Sequence, residues 1–141
     1  MNEKNLNKLF LDKKIFIIGF MAVGKTTIGK RIAKKLGLPF YDSDKEIENK
    51  ANMTIASFFE TYGEEKFRTL EESIILEHVY SLTNKGFVMS LGGGSFINRK
   101  IREAILNSGI SVWLNANIDI INLRVHNTKN TRPLLEKLDT K

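Results

Sequence analysis

GFMAVGKTT, residues Gly19–Thr27, fits the pattern G-x-x-x-x-G-K-[ST]. Loops of this composition wrap phosphate oxygens in backbone N–H groups while the lysine neutralises their charge. The segment leading into it, KIFIIG (Lys14–Gly19), is short, apolar and β-branched, as expected of a strand buried on both faces of a parallel sheet. After the loop the period changes. Ile28, Ile32 and Leu36 recur every four residues with Lys and Arg between them, so a helix is expected from Lys25 to a stop at Gly37-Leu38-Pro39. Strand, loop and helix in this order put the glycines at a helix N-terminus, where amide groups and the helix dipole favour an anion. Lys25 is expected to reach the β- and γ-phosphates of a nucleotide and Thr26 to offer its hydroxyl to Mg2+, with Ala22, Val23, Gly24 and Thr27 completing the cofactor-binding loop.

Composition narrows the classes open to such a loop. With 141 residues and 42% hydrophobic content, the chain suits a single domain around one core. The net charge of +6 and pI near 9.6 fit either nucleic acid or small anions as partners, but no long Lys/Arg run is present, which favours small anions. Cysteine is absent, so disulfides and thiol chemistry are excluded and a cytoplasmic protein is expected. The opening MNEKNLNKLFLDKK scatters charges through any apolar stretch, which argues against a secretory signal and reads as a short polar lead. No apolar run approaches the roughly 18 residues of a membrane span.

Farther along, strands and helices alternate. PFYDSD reads as a brief strand ending in Asp42 and Asp44; helical stretches follow at about 44–49 and 54–62, and Gly63 separates the latter from a long amphipathic helix carrying Phe67, Leu70 and Ile74. FVMSL (Phe87–Leu91) reads as a strand running into Gly92, Gly93 and Gly94. Residues 99–107 suit a helix, ISVWL (Ile110–Leu114) a buried strand holding Trp113, and 119–125 a helix; the basic remainder reads as a flap. Alternation of this kind predicts a parallel α/β sheet with right-handed crossovers.

A guanine-nucleotide switch is disfavoured: no Asp has Gly three residues on, and Asn84-Lys85-Gly86 is followed by Phe87 rather than completing N-K-x-D. Asp42 and Asp44, spaced by one residue at a sheet's carboxyl edge, would point the same way into the ligand crevice; the competing reading is a helix N-cap by Asp42 or Ser43 with Glu46 as partner. Phosphoryl transfer uses carboxylates for Mg2+ and a base for the attacking hydroxyl. Arg68, in KFRTLEE, taken alone is a solvated arginine. The triple glycine of SLGGGSF lets a ligand approach the backbone. Arg132 in NTRPLL, with Arg124 upstream, suits a cationic loop closing over a transferring phosphate. His78 and His126 have no ligand partners at metal-binding spacing, and Met21 reads as a packing residue in the loop.

GFMAVGKTT, FYDSD, EEKFRTLEE, SLGGGSF and NTRPLL together, in this order and spacing over about residues 14–138, resemble the shikimate kinase family. The resemblance implies a three-layer α/β/α P-loop kinase fold related to nucleoside-monophosphate kinases, with ATP and Mg2+ as cofactors and phosphorylation of the 3-hydroxyl of shikimate. It would make Lys25, Asp44 and Arg132 catalytic, Asp42 and Thr26 the metal contacts, and Arg124 and Arg132 nucleotide neighbours. Asp44, Arg68 and Gly92 to Gly94 would bind the substrate, with the Arg68 guanidinium on the shikimate carboxylate. The family pattern continues beyond the lid with a helix bearing another arginine, a last strand and a C-terminal helix. Ending at Lys141, this chain is accordingly expected as a shortened member whose parallel sheet lacks that last strand. One domain over 1–141 is expected, with the phosphate loop at 19–27, a substrate region near 42–70 and a lid near 126–138. It would act on a small molecule as a cytoplasmic monomer, without nucleic acid or membrane. The competing readings are a nucleotide-binding module without catalysis, a related gluconate-type kinase and, more weakly, a nucleic-acid-binding domain.

Overall fold

The computed structural model describes residues 2–19, 24–81 and 85–115. Their order is α1 (Glu3–Phe10), β1 (Lys14–Gly19), α2 (Lys25–Leu36), β2 (Phe40–Asp42), α3 (Ser43–Ala51), α4 (Ile55–Val79), β3 (Phe87–Ser90), a 3-10 turn (Ser95–Ile97), α5 (Arg99–Ser108) and β4 (Ile110–Leu114). The strands form one parallel sheet in the order β2-β3-β1-β4. The expected helix at 119–125, the lid and everything else beyond residue 115 lie outside the described residues.

β1 shows why the sheet is covered on both faces. Its side chains alternate between two cores, as the two-residue period of a strand requires. Phe16 and Ile18 join Ile75, Val79, Met89, Ile101 and Ile105 beneath α4 and α5. Ile15 and Ile17 join Ala33, Leu36 and Val88 beneath α2. Each such buried side chain contributes on the order of 1.5–3 kcal/mol. Two helical layers around a parallel sheet result, as the alternating pattern leads one to expect.

Local chemistry sets the element ends. Gly37 ends α2 in the left-handed region (φ 68°), and the Leu38 N–H bonds back to the Ala33 carbonyl at 2.9 Å. Lys14 Nζ donates to the Val79 carbonyl at 2.7 Å, placing a cation at the C-terminus of α4. Gly63 separates two helical segments of α4, as expected: its backbone is non-helical at φ 86°, ψ 173°, a conformation essentially reserved for glycine, and α4 kinks there.

Three expectations need correction. The polar lead is the folded helix α1, capped by the Asn2 side chain, whose Leu6 and Phe10 pack on the α2-side core. Asp44 does not share a strand with Asp42, because β2 stops at Asp42 and Asp44 lies in the first turn of α3. Trp113 is 63% exposed rather than buried; it stands on β4 and meets Phe96 edge-on at 5.3 Å.

Candidate active site

The carboxyl ends of three parallel strands carry the polar groups that matter. Gly19 ends β1, Asp42 ends β2, and the triple glycine follows β3. In open parallel sheets this edge is where ligands bind.

Gly24 initiates α2 in the left-handed region at φ 91°, with no side-chain cap on the helix. The helix start is therefore shaped by backbone alone, as a phosphate-binding turn requires. Lys25 is buried, and its Nζ donates to the Gly19 carbonyl at the end of β1 at 2.9 Å. Thr27, two residues on, is exposed. Ala22, Val23 and Met21 of the loop lie outside the described residues, as do Arg124, His126 and Arg132.

Thr26 and Asp42, distant in sequence, come together: Thr26 Oγ1 donates to Asp42 Oδ2 at 3.0 Å. The other carboxylate oxygen, Oδ1, accepts the Asp44 N–H at 2.9 Å and the Lys45 N–H at 3.4 Å, so Asp42 is also the N-cap of α3. The bland and the functional readings of Asp42 are thus both realised, on different oxygens. Among the described residues no cluster of three or more His, Cys, Asp or Glu side chains could hold a metal by itself. A hydroxyl beside one carboxylate fits Mg2+, which keeps several waters and takes the rest of its shell from substrate phosphates.

Asp44, Arg68 and the glycine turn also meet. A Cβ added to Gly92 would stand 2.9 Å from Asp44 Oδ1, and one added to Gly94 would stand 2.7 Å from Arg68 Nη2. A side chain at either glycine would displace one of two charged groups that lie against the backbone there. Arg68 is not freely solvated. Its Nη1 donates to Glu71 Oε1 at 2.9 Å, and Glu71, 1% exposed, also accepts from Ser95 Oγ at 2.8 Å on Oε2. Ser43, between the two aspartates and fully buried, accepts the Gly92 N–H on Oγ at 3.0 Å. Glu71 and Ser95 were not singled out from sequence, and Ser43 only as a candidate N-cap, a role that falls to Asp42. For Glu71 a signal existed, since Arg68 and Glu71 stand at the i, i+3 spacing of facing helical pairs. His78, as expected, has a structural setting: it stacks near Tyr41, ring centroids 4.7 Å apart, and its Nε2 lies 3.2 Å from Glu46 Oε2.

A glycine-rich sequence between β1 and α2, a Thr–Asp oxygen pair and a parallel sheet ordered β2-β3-β1-β4 define the P-loop kinase fold. A family model described as Shikimate kinase matches residues 21–141. A shikimate kinase of Bartonella quintana is 50% identical over 133 residues, covering 93% of this chain and 61% of that protein. The solved shikimate kinase of Acinetobacter baumannii in complex with shikimate superposes with a TM-score of 0.81 at 36% identity, covering 91% of this chain and 70% of that one. The chain belongs to the shikimate kinase family. It spans about 60% of the length of the curated relatives it matches first. A gluconokinase from Sinorhizobium meliloti, 21% identical with a TM-score of 0.57, shares the fold.

Proposed function

We propose that this chain transfers the γ-phosphoryl group of ATP to the 3-hydroxyl of shikimate. The observation that carries the reading is the convergence of the Asp44 carboxylate and the Arg68 guanidinium on one glycine turn. An acceptor for hydroxyls beside a planar cation for a carboxylate is what a compact hydroxy acid demands. Family membership supports the choice of acid.

The residues divide the work as follows. Lys25 and the N-terminus of α2 hold the β- and γ-phosphates. Thr26 and Asp42 are the groups that would hold Mg2+, Asp42 through water. When bound, Mg2+ supplies positive charge against the phosphate oxygens. Arg68 takes the substrate carboxylate while Glu71 holds its guanidinium from behind, and Gly92 to Gly94 line the ring. Asp44 binds hydroxyls and receives the proton of the attacking one. As that oxygen bonds to the γ-phosphorus, the bond to the β-phosphate oxygen breaks and ADP leaves. Arg132 and Arg124 lie outside the described residues; the family pattern would give Arg132 the charge that develops and Arg124 a role toward the nucleotide. Most of the acceleration comes from orientation and charge, since phosphoryl transfer asks for little covalent help from the protein. The same reading makes the chain a cytoplasmic monomer with small-molecule partners alone.

Phosphorus NMR of the purified chain with ATP, Mg2+ and either shikimate or gluconate tests this. A new phosphomonoester signal with shikimate, matched by ADP, is expected. A phosphomonoester with gluconate only, or nucleotide binding without turnover of either acid, overturns the reading in favour of a related kinase or a binding module.

A further inference from the structure

We propose that Ser43 is a positioning residue: its buried hydroxyl clasps the glycine turn to α3 and so sets the spacing between the turn and Asp44. This rests on the shikimate reading of the same site. β3 closes its pairing with β1 through the Leu91 N–H, which reaches the Ile17 carbonyl at 3.1 Å. Gly92 is the next residue, two beyond the end of β3, and its N–H goes to Ser43 Oγ at 3.0 Å. The turn then closes on itself through Ser95 N–H to the Gly92 carbonyl at 3.1 Å, and Ser95 Oγ is anchored on Glu71. The C-terminal end of the turn is tied to the helix of Arg68, and its N-terminal end to the helix of Asp44.

Ser43 has the position for this task. It is the first residue of α3, with 0% exposure, between Asp42, which holds Thr26, and Asp44, whose Oδ1 lies against Gly92. Removing the oxygen leaves the half-buried Gly92 N–H without its acceptor, and that amide is expected to move toward water or another partner. Movement of Gly92 changes its distance to Asp44, on the side of the acceptor hydroxyls. The Thr26–Asp42 contact uses neither Ser43 Oγ nor the glycine turn, so the nucleotide side stays as it is.

Two readouts separate this inference from the function it deepens. In the unliganded chain, hydrogen exchange of the Gly92 amide followed by NMR is expected to accelerate about 100-fold in Ser43→Ala, with the Leu91 amide unchanged. Calorimetry is expected to give about tenfold weaker shikimate binding with ADP binding within about twofold of the parent. Ser43→Cys, close in volume and a poor acceptor, is expected to act in the same direction and serves if the alanine variant fails to fold. Unchanged Gly92 exchange, or ADP affinity falling in step with shikimate affinity, overturns the clasp. If the parent chain binds no shikimate, the proposed function falls, while the exchange experiment still decides the role of Ser43.

Discussion

Thr26 Oγ1 donates to Asp42 Oδ2 across 3.0 Å, joining the first turn of the phosphate-loop helix to the end of a strand that does not neighbour β1 in the sheet. Asp42 caps α3 with its other oxygen. Substitution can separate the two duties. Asp42→Asn keeps a good N-cap and loses the charge, so thermal stability should hold within a few degrees while the Mg2+ requirement for activity rises about 10–100-fold. Asp42→Ala should lose about 1 kcal/mol of stability as well. Magnesium titrations and thermal melts of both variants check this; an unshifted Mg2+ dependence in Asp42→Asn removes the residue from the metal site.

Arg68 neutralises a carboxylate that has almost no access to water. Arg68→Ala strands Glu71 beside Ser95 and should cost about 1–3 kcal/mol, less than a fully buried pair because Arg68 itself is partly exposed. Arg68→Ala with Glu71→Ala should cost less than the sum of the singles by roughly 1–2 kcal/mol, measurable in a denaturant double-mutant cycle. Additive losses would mean that the ion pair contributes nothing to holding the guanidinium.

Gly94 has an ordinary φ of −102°, so alanine there meets no backbone penalty. Its Cβ would instead stand 2.7 Å from Arg68 Nη2. Gly94→Ala should therefore raise KM for shikimate at least about tenfold by displacing the guanidinium, with KM for ATP nearly unchanged. Steady-state kinetics in both substrates read the split, and equal rises in the two KM values would count against the placement of Arg68.

Gly63 is the opposite case. Nothing stands within 4 Å of a Cβ there, yet its φ of 86° with ψ of 173° is closed to side chains. Gly63→Ala should cost about 1–3 kcal/mol through backbone strain alone, read as a lower denaturant midpoint with an unchanged slope. A neutral result would show that α4 straightens at no cost.

What could be read from sequence was what local chemistry decides. β1, the phosphate loop and α2 were legible because a period change and Gly24, Gly37 and Pro39 punctuate them within a short span. Residue types also pointed to Asp42, Asp44 and the triple glycine, and the family resemblance to Arg68, which the fold brings together in two adjoining groups. α1 was hidden by its charges, although Leu6 and Phe10 stand four apart and Asn2 supplies a cap. Asp44 was assigned to the wrong element because spacing by one residue implies a shared direction only while the strand continues, and Asp42 ends it by capping the helix. Trp113 was misplaced for a similar reason: an apolar run does not say which face of a strand its neighbours cover. Ser43 was legible only as a possible N-cap and Ser95 not at all, since their partners Gly92 and Glu71 are supplied by tertiary packing.

The central claim is that Asp44, Arg68 and the glycine turn form the seat of a hydroxy acid. A crystal structure of the chain grown with ADP, Mg2+ and shikimate tests it most directly. The account predicts the shikimate carboxylate within hydrogen-bond reach of the Arg68 guanidinium and a ring hydroxyl on the Asp44 carboxylate. Shikimate lodged elsewhere, with Asp44 and Arg68 engaging only protein groups, would contradict it.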